Sequence, residues 1–326
     1  MGITSQKSGG EHMHQEMKYI YMVYQKGSFS KAAAALYLTQ PALSIAVQKV
    51  EAEIGMPLFD RNRQPLKLTE AGEIYIRKVR QFQALEDEMK QQFNDLSGLN
   101  TGSICIGGSH YFNSYVLPPV LTAYTCRHPG IRLELVEAGS YELVDLLKDR
   151  VIDTTFSCNP LYEDDFDRHP VFQDTVLLAV PASYEVNIVL RDFALTGEDV
   201  LKKRHMELSC PSIRLEAFGD TPFILLTEGN NLHARSKHFF DVVGITPVVR
   251  LKVAQLVTAY HLARGGLGAT FISDILVTDP GPDTLYYKID SCQAVRHFDL
   301  ILPKGRYLSN ALREFIQIFK EFYWRS

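Results

Sequence analysis

Gly27–Glu53 reads GSFSKAAAALYLTQPALSIAVQKVEAE, two short helices with a tight break between them. Ser28 or Ser30 can start the first helix, because a hydroxyl there accepts an orphan amide of the opening turn. Lys31–Tyr37 comes next, and its run of alanines lets another helix approach closely. Thr39 is a fresh cap signal, and Pro41 sits near the first position of the second helix, where its missing N–H costs least. From there Leu43, Val47 and Val50 fall at i, i+4 and i+7 and form one buried stripe. Gln40, Ser44, Gln48 and Lys49 lie off that stripe and point outward. A polar-faced helix held by another after a sharp turn has the build of a helix-turn-helix, whose second helix enters the major groove. An ordinary helical hairpin satisfies the same periodicity, and residues 57–72 decide between the two.

Those residues, PLFDRNRQPLKLTEAG, contain two short extended pieces around Arg61, Asn62 and Arg63. That pattern predicts a wing whose guanidinium groups reach phosphates. The whole of 17–72 closely resembles the N-terminal domain of LysR-type transcriptional regulators. The resemblance is carried by Gly27-Ser28-Phe29-Ser30, Ala32-Ala33, Leu36, Gln40-Pro41-Ala42-Leu43-Ser44, Glu51, Ile54-Gly55, Pro57-Leu58-Phe59, Arg61 and Leu68-Thr69-Glu70-Ala71-Gly72. Beyond it the likeness is one of pattern more than identity.

The resemblance implies a multidomain α+β protein. Its parts are a winged helix-turn-helix over 13–72, a linker (dimerisation) helix and hinge over 73–101, and a periplasmic-binding-protein-like effector domain over 102–326. That domain is two-lobed α/β, lobe one about 102–173 and 289–326 and lobe two about 174–288. The implied partners are operator DNA, a small polar or anionic effector, further copies of the chain in a dimer or tetramer, and RNA polymerase if the protein activates. No cofactor, metal or enzymatic activity is expected, and the setting is cytoplasmic with no membrane partner. The competing readings are lobes that bind no effector, or lobes acting as a solute-binding or enzymatic module. Turnover of a metabolite would favour the enzyme.

Composition agrees. A chain of 326 residues exceeds one small core and implies two or three domains. Hydrophobic content of 46% and charged content of 22% suit an ordinary soluble protein, and no apolar run approaches a membrane span. The N-terminus MGITSQKSGGEH has no apolar core, so it is no secretory signal, and Gln6 stands where a myristoylation signal wants Ser or Thr. Residues 1–12 read as a disordered extension, a tag remnant or a start upstream of Met13. The five cysteines form no close pair, which points to reduced thiols. Residues 17–69 carry seven basic and three acidic side chains, a net +4 in a chain of −4, which leaves −8 elsewhere. A basic end on an acidic body assigns nucleic acid to the N-terminal module alone. So modest an excess favours a dimer, which doubles the phosphate contacts.

Met17–Lys26 reads as an amphipathic helix packing across the two already described. Thr69 can cap a long helix to about Leu96, with Tyr75, Val79, Phe82, Met89, Phe93 and Leu96 as a heptad seam between two chains. The seam is interrupted at Glu86, with Leu85 beside it. Ser97–Gly102 is a hinge. Strand and helix then alternate. Strands are expected at Ser103–Gly107, Arg132–Glu137 and Thr154–Cys158, and again at Phe223–Leu226, Val248–Val253 and Ala269–Ile272. Helices are expected at Val116–Arg127, Tyr141–Arg150, Leu232–Val243 and Gln255–Arg264. The last helix, Leu308–Tyr323, returns to the first lobe by the resemblance. Residues 183–221 are long for the equivalent connection in the family.

Gly265-Gly266-Leu267-Gly268 comes after a helix and precedes a strand, the reverse of a phosphate cradle, and is read as a turn. No spacing supports Cys158 with His169 or His110 as nucleophile and base; a buried thiol fits better. His12 and His14 bind metal adventitiously at most, and Glu163-Asp164-Asp165 with Asp167 is a solvated loop.

These patterns define two sets of site residues. For DNA they are Ser30, Lys31, Thr39, Gln40, Pro41, Ser44, Ile45, Gln48, Lys49, Arg61 and Arg63, with Gln40 and Ser44 at base edges and Lys49, Arg61 and Arg63 on phosphates. Many relatives have Arg where this chain has Ile45, whose methyls can touch a thymine methyl but cannot hydrogen-bond guanine. For the effector they are Ser109, His110, Tyr111, Ser140, Asn159, Thr227, Asn230 and Thr270, mostly at strand-to-helix turns. Hydroxyls and amides at helix starts suit a small anion or polar acid.

Overall fold

The computed structural model describes residues 9–62, 66–97, 101–159 and 164–323, with side chains from His14 onward. It divides into two compact units, Met1–Lys90 and Gln91–Ser326.

The first unit is built on α1 (Gly9–Lys26), α2 (Phe29–Ala35) and α3 (Gln40–Ile54). Helix α1 begins eight residues before Met17, so residues 9–12, read from sequence as an extension, are helical; residues 1–8 lie outside the described residues. Gln15 supports the added turns by donating to the Tyr19 hydroxyl at 2.6 Å, one turn on. Ser28 caps α2 and Thr39 caps α3, each accepting the amide three residues on, and Gly55 closes α3 at φ +78°. Ile20, Val23, Ala32, Ala33, Leu43, Val47 and Val50 meet in the core. The buried alanines are what allow α2 to sit close.

The wing is β1 (Phe59–Asp60) paired antiparallel with β2 (Lys67–Leu68), and α4 (Glu70–Leu96) comes after it. Thr69 joins them: its hydroxyl donates to the Pro57 carbonyl at 2.6 Å and accepts the Gly72 amide at 3.0 Å. A Cβ on Gly72 would lie 2.0 Å from the Leu58 carbonyl oxygen, so only glycine lets α4 start against the wing. Much of the family-like string at 57–72 is therefore one packed corner.

In the second unit a single strand organises the sheet. Strand β6 (Phe166–Pro181) pairs over its first half with β12 (Val295–Pro303), from Phe166–Pro303 to Thr175–Val295. Its second half pairs with β10 (Thr270–Ser273) and β11 (Thr284–Ile289), from Val176 onward. The lobes thus meet at Thr175–Val176. Pro170 lacks an N–H, and the register slips opposite it, between Phe298 and Asp299.

In the first lobe, β3 (Gly102–Gly108) and β4 (Ile131–Glu137) run parallel, and β5 (Thr155–Ser157) borders β12. Helices α5 (Leu117–Arg127) and α6 (Ser140–Lys148) cover this sheet, with α11 (Asn310–Tyr323) returning to it. The return is pinned by Tyr124 donating to Ala311 O and Tyr323 to Val116 O. In the second lobe, β8 (Pro222–Leu226) and β9 (Val248–Val253) run parallel under α9 (Asn231–Val243) and α10 (Leu256–Arg264). The glycine run 265–268 is the turn from α10 towards β10.

Residues 183–221 resolve into two short helices, α7 (Val186–Val189) and α8 (Gly197–Leu201), several 3-10 turns, and β7 (Ser212–Ile213) on the edge of β11. Among the described residues no helix is long and apolar enough to cross a membrane, and no group of three or more His, Cys, Asp or Glu is arranged to hold a metal.

Candidate nucleic-acid interface and ligand cleft

On α3, Gln40, Pro41, Ile45, Gln48 and Lys49 are exposed and Ser44 is half-buried, while Leu43, Val47 and Val50 face the core. Ile45 presents 66% of its surface. Ser30 and Lys31 are exposed on α2, and Thr39 is exposed at the cap. The turn residue Tyr37 is 97% exposed at φ +55°, a left-handed conformation that few bulky residues adopt. No periodicity singles it out.

Two cations expected on phosphates are already partnered. Lys49 lies 3.2 Å from Glu16 and 3.6 Å from Glu53, and its hydrogen bond to Glu16 raises its pKa. Arg61 binds Glu51 at 2.8 Å and lies over the Phe29 ring. Glu51 also accepts the amides of Leu58 and Phe59, at 2.8 and 3.4 Å. Arg61 is therefore a brace between α3 and the wing as well as a surface cation. Arg63 lies outside the described residues.

The expected seam on α4 divides. Val79 is buried, and Tyr75 is half-buried against the core of its own unit. Phe82, Leu85, Met89, Phe93 and Leu96 are exposed at spacings of three and four. Val79 is thus corrected from seam to interior, while Tyr75 keeps part of its surface exposed and Leu85 stands with the stripe.

A cavity of about 440 Å³ lies between the two lobes of the second unit. Ser109, His110, Ser140, Thr227 and Asn230 line it, as expected from their turns. The lobes touch at its lip, where the Asn231 amide donates to the Ser140 hydroxyl at 3.1 Å. Asn230 caps α9, accepting the His233 amide at 2.8 Å.

Two expected residues are elsewhere. Thr270 is buried, donating to the Ile224 carbonyl at 2.8 Å between β10 and β8. Asn159 lies off the cavity, its amide donating to the Ser157 hydroxyl and its carbonyl accepting from Arg168. Both lie near a strand end in sequence, but the polypeptide turns them to structural bonds.

Tyr111 lines the wall while its hydroxyl is committed behind it, donating to Asp174 Oδ2 at 3.0 Å. Ser273 donates to the same oxygen at 2.7 Å, and Arg296 clasps both Asp174 oxygens. Asp174 and Arg296 are both buried. Burial alone would lower the Arg296 pKa, but Asp174 holds the guanidinium firmly protonated. Burial and the Asp174 charge together push the Tyr111 phenol well above its ordinary value.

Next to it Asp274 accepts the Thr175 amide at 3.0 Å, His205 Nε2 at 3.0 Å and Lys203 Nζ at 3.1 Å. Burial pushes the Asp274 carboxyl up, but these donors outweigh it and hold the pKa below 3.8. Cys158, a buried thiol as expected, donates to Asn231 Oδ1 at 3.1 Å, and burial raises its pKa. The junction is thus a polar network drawn from β6, β10, β12, the Ser109–Tyr111 turn and the 183–221 segment.

Sequence reading missed Glu137, Thr155, Gln255 and Arg296 in the lining. Gln255 stands at the turn after β9, where the strand-end rule could have found it. Arg296 had no such signal, because β12 was not recognised.

A winged helix-turn-helix joined to a two-lobed body with a cavity between its lobes defines a class of ligand-sensing DNA-binding proteins. The profile of bacterial regulatory helix-turn-helix proteins of the lysR family matches residues 14–73, and that of the LysR substrate binding domain matches 97–324. The chain belongs to the LysR family and is a LysR-type DNA-binding transcriptional regulator.

It is 27% identical over 305 residues to the HTH-type transcriptional regulator YcgK of Bacillus subtilis, covering 94% of this chain and 93% of that one. It is 24% identical over 307 residues to a RuBisCO operon transcriptional regulator of Allochromatium vinosum, covering 93% and 94%. Full-length OxyR C199D of Pseudomonas aeruginosa shares the fold with a TM-score of 0.66 at 19% identity, over 94% of this chain and 93% of that one. CbnR in complex with its target DNA does so with 0.63 at 18%, over 94% and 99%.

Proposed function

We propose that residues 13–72 read an operator, that 73–101 join two chains, and that 102–326 sense a small molecule in the interlobe cavity. In this reading the amino end of α3 carries Gln40 and Ser44 to base edges in the major groove, with Ile45 in apolar contact. Lys31, Lys49, Arg61 and Arg63 hold phosphates, and Lys49 and Arg61 exchange carboxylate partners to do so. The exposed stripe Phe82, Leu85, Met89, Phe93 and Leu96 packs against its copy. DNA binding needs no cofactor and no turnover.

The observation that supports sensing is the placement of the cavity against the junction network. Ser109 and His110 face the cavity, and the adjacent Tyr111 is bonded to Asp174 where β6 passes between lobes. A ligand that touches both walls favours one lobe arrangement, and only such a difference in affinity shifts the grip on DNA. Calorimetry of the full chain against a panel of small metabolites, repeated with Ser109→Ala and Thr227→Val, tests it. Binding weakened by both substitutions supports the cleft, and binding unaffected by either places the ligand elsewhere.

A further inference from the structure

The turn between α2 and α3 holds the chain in a conformation that its side chain does not favour. The Tyr37 amide donates to the Ala34 carbonyl at 3.2 Å, and the Leu38 amide to the Ala33 carbonyl at 2.9 Å. This pair of bonds closes α2 as a Schellman motif, with Leu38 packed against the core of the unit and Tyr37 left-handed at φ +55°. Glycine takes such a position without steric cost, and the chain uses it after α1, α3 and α9, at Gly27, Gly55 and Gly244. After α2 it has a tyrosine instead, 97% exposed, so no burial offsets the strain.

The other two non-glycine residues at positive φ among the described residues, Arg150 and Lys203, both have partners inside the protein. Lys203, for example, binds Asp274 at 3.1 Å. No hydrogen bond or ring contact among the described residues holds the Tyr37 side chain. A strained residue whose side chain does nothing for the free protein points to a use outside it.

Its place decides what it meets. Thr39, Gln40 and Pro41, two to four residues on, are exposed at the amino end of α3. In a helix-turn-helix the first helix crosses the DNA backbone, and the second lies in the major groove with its N-terminal residues on base edges. The turn that joins them therefore lies where the backbone borders the groove. A phenol there can donate to a phosphate oxygen, a contact that carries no sequence information and, being neutral, releases no counterion.

We infer that Tyr37 is a DNA-positioning residue whose hydroxyl donates to a backbone phosphate beside the half-site. The inference rests on α3 being the helix that reads the groove.

The test measures the affinity of the full-length protein for a duplex selected from a random pool and for an unrelated duplex, over a range of salt. Tyr37→Phe keeps the ring and the backbone, and it should bind both duplexes about threefold to tenfold more weakly with the salt slope unchanged. Tyr37→Gly should bind at least as weakly yet melt no lower than wild type, because it relieves the turn and removes no buried surface. Undiminished binding by Tyr37→Phe, a loss confined to the selected duplex, or a flattened salt slope overturns the inference. So does a Tyr37→Gly variant that melts well below wild type, since the ring would then be supporting the fold. Gln40→Ala in the same titrations keeps the two claims apart. If Gln40→Ala weakens the selected duplex while Tyr37→Phe binds fully, only the phosphate contact fails; if both bind fully, α3 itself is not the reading helix.

Discussion

Replacing Arg296 by Met removes one half of a buried ion pair and leaves the other half in place. Asp174 keeps the hydrogen bonds from Tyr111 and Ser273 but loses both guanidinium contacts, and its carboxylate is out of water. Breaking such a pair from one side costs about 3–5 kcal/mol. At 1.4 kcal/mol per tenfold, amides of β6 and β12 near 174 and 296 should exchange roughly a hundred- to a few-thousand-fold faster. Hydrogen exchange followed by mass spectrometry reads this locally, without requiring two-state unfolding of a two-unit chain. The double variant Asp174→Asn with Arg296→Met removes both charges and should recover at least ~1 kcal/mol of the loss, the signature of direct coupling. Unchanged exchange in Arg296→Met, or additive losses in the double variant, would refute the idea that this pair holds the lobe junction.

Three further outcomes are expected. Phe82→Glu with Met89→Glu places charge in the exposed α4 stripe and should leave the protein monomeric by sedimentation; a persisting dimer would move the interface elsewhere. Because the Asp274 pKa is depressed in the folded state, its stabilisation is fully present above the unfolded value near 4 and is lost as pH falls through the folded value. The stability gap between wild type and Asp274→Asn, measured by urea unfolding, should therefore hold above that point and narrow below it, and a gap that widens in acid would contradict the assignment. Gly72→Ala drives a Cβ to 2.0 Å from the Leu58 carbonyl, so it should cost ~1–3 kcal/mol in thermal unfolding, whereas an unchanged melting curve would show that the corner can relax.

Much of the fold was legible because local signals agree with tertiary need. Thr39, Pro41 and Gly55 mark the ends of α3 by capping chemistry, and the Leu43–Val47–Val50 stripe faces the core that it predicts. The alternation of strands and helices up to Ser157, and again from Pro222, was equally plain. The strand Phe166–Pro181 was not: Pro170 breaks its first half, and its second half is apolar on both faces, so no period of two survives. The cleft was half legible for the same reason. Turn residues Ser109, Ser140 and Thr227 are found by the strand-end rule, while Arg296 and the junction partners of Asp174 and Asp274 depend on long-range pairings that leave no local trace. Charge alone also gave no sign that Arg61 and Lys49 are paired, since a carboxylate partner lies ten residues away in one case and on another helix in the other.

The most direct measurement selects duplexes from a random pool with the full-length protein and then compares affinities of wild type and Gln40→Ala for selected and unrelated DNA. The expected result is enrichment of a two-fold related pair of half-sites. Gln40→Ala should lose ~1–3 kcal/mol on the selected sequence and little on unrelated duplex. No enrichment, or an equal loss on both duplexes, would contradict base reading by α3.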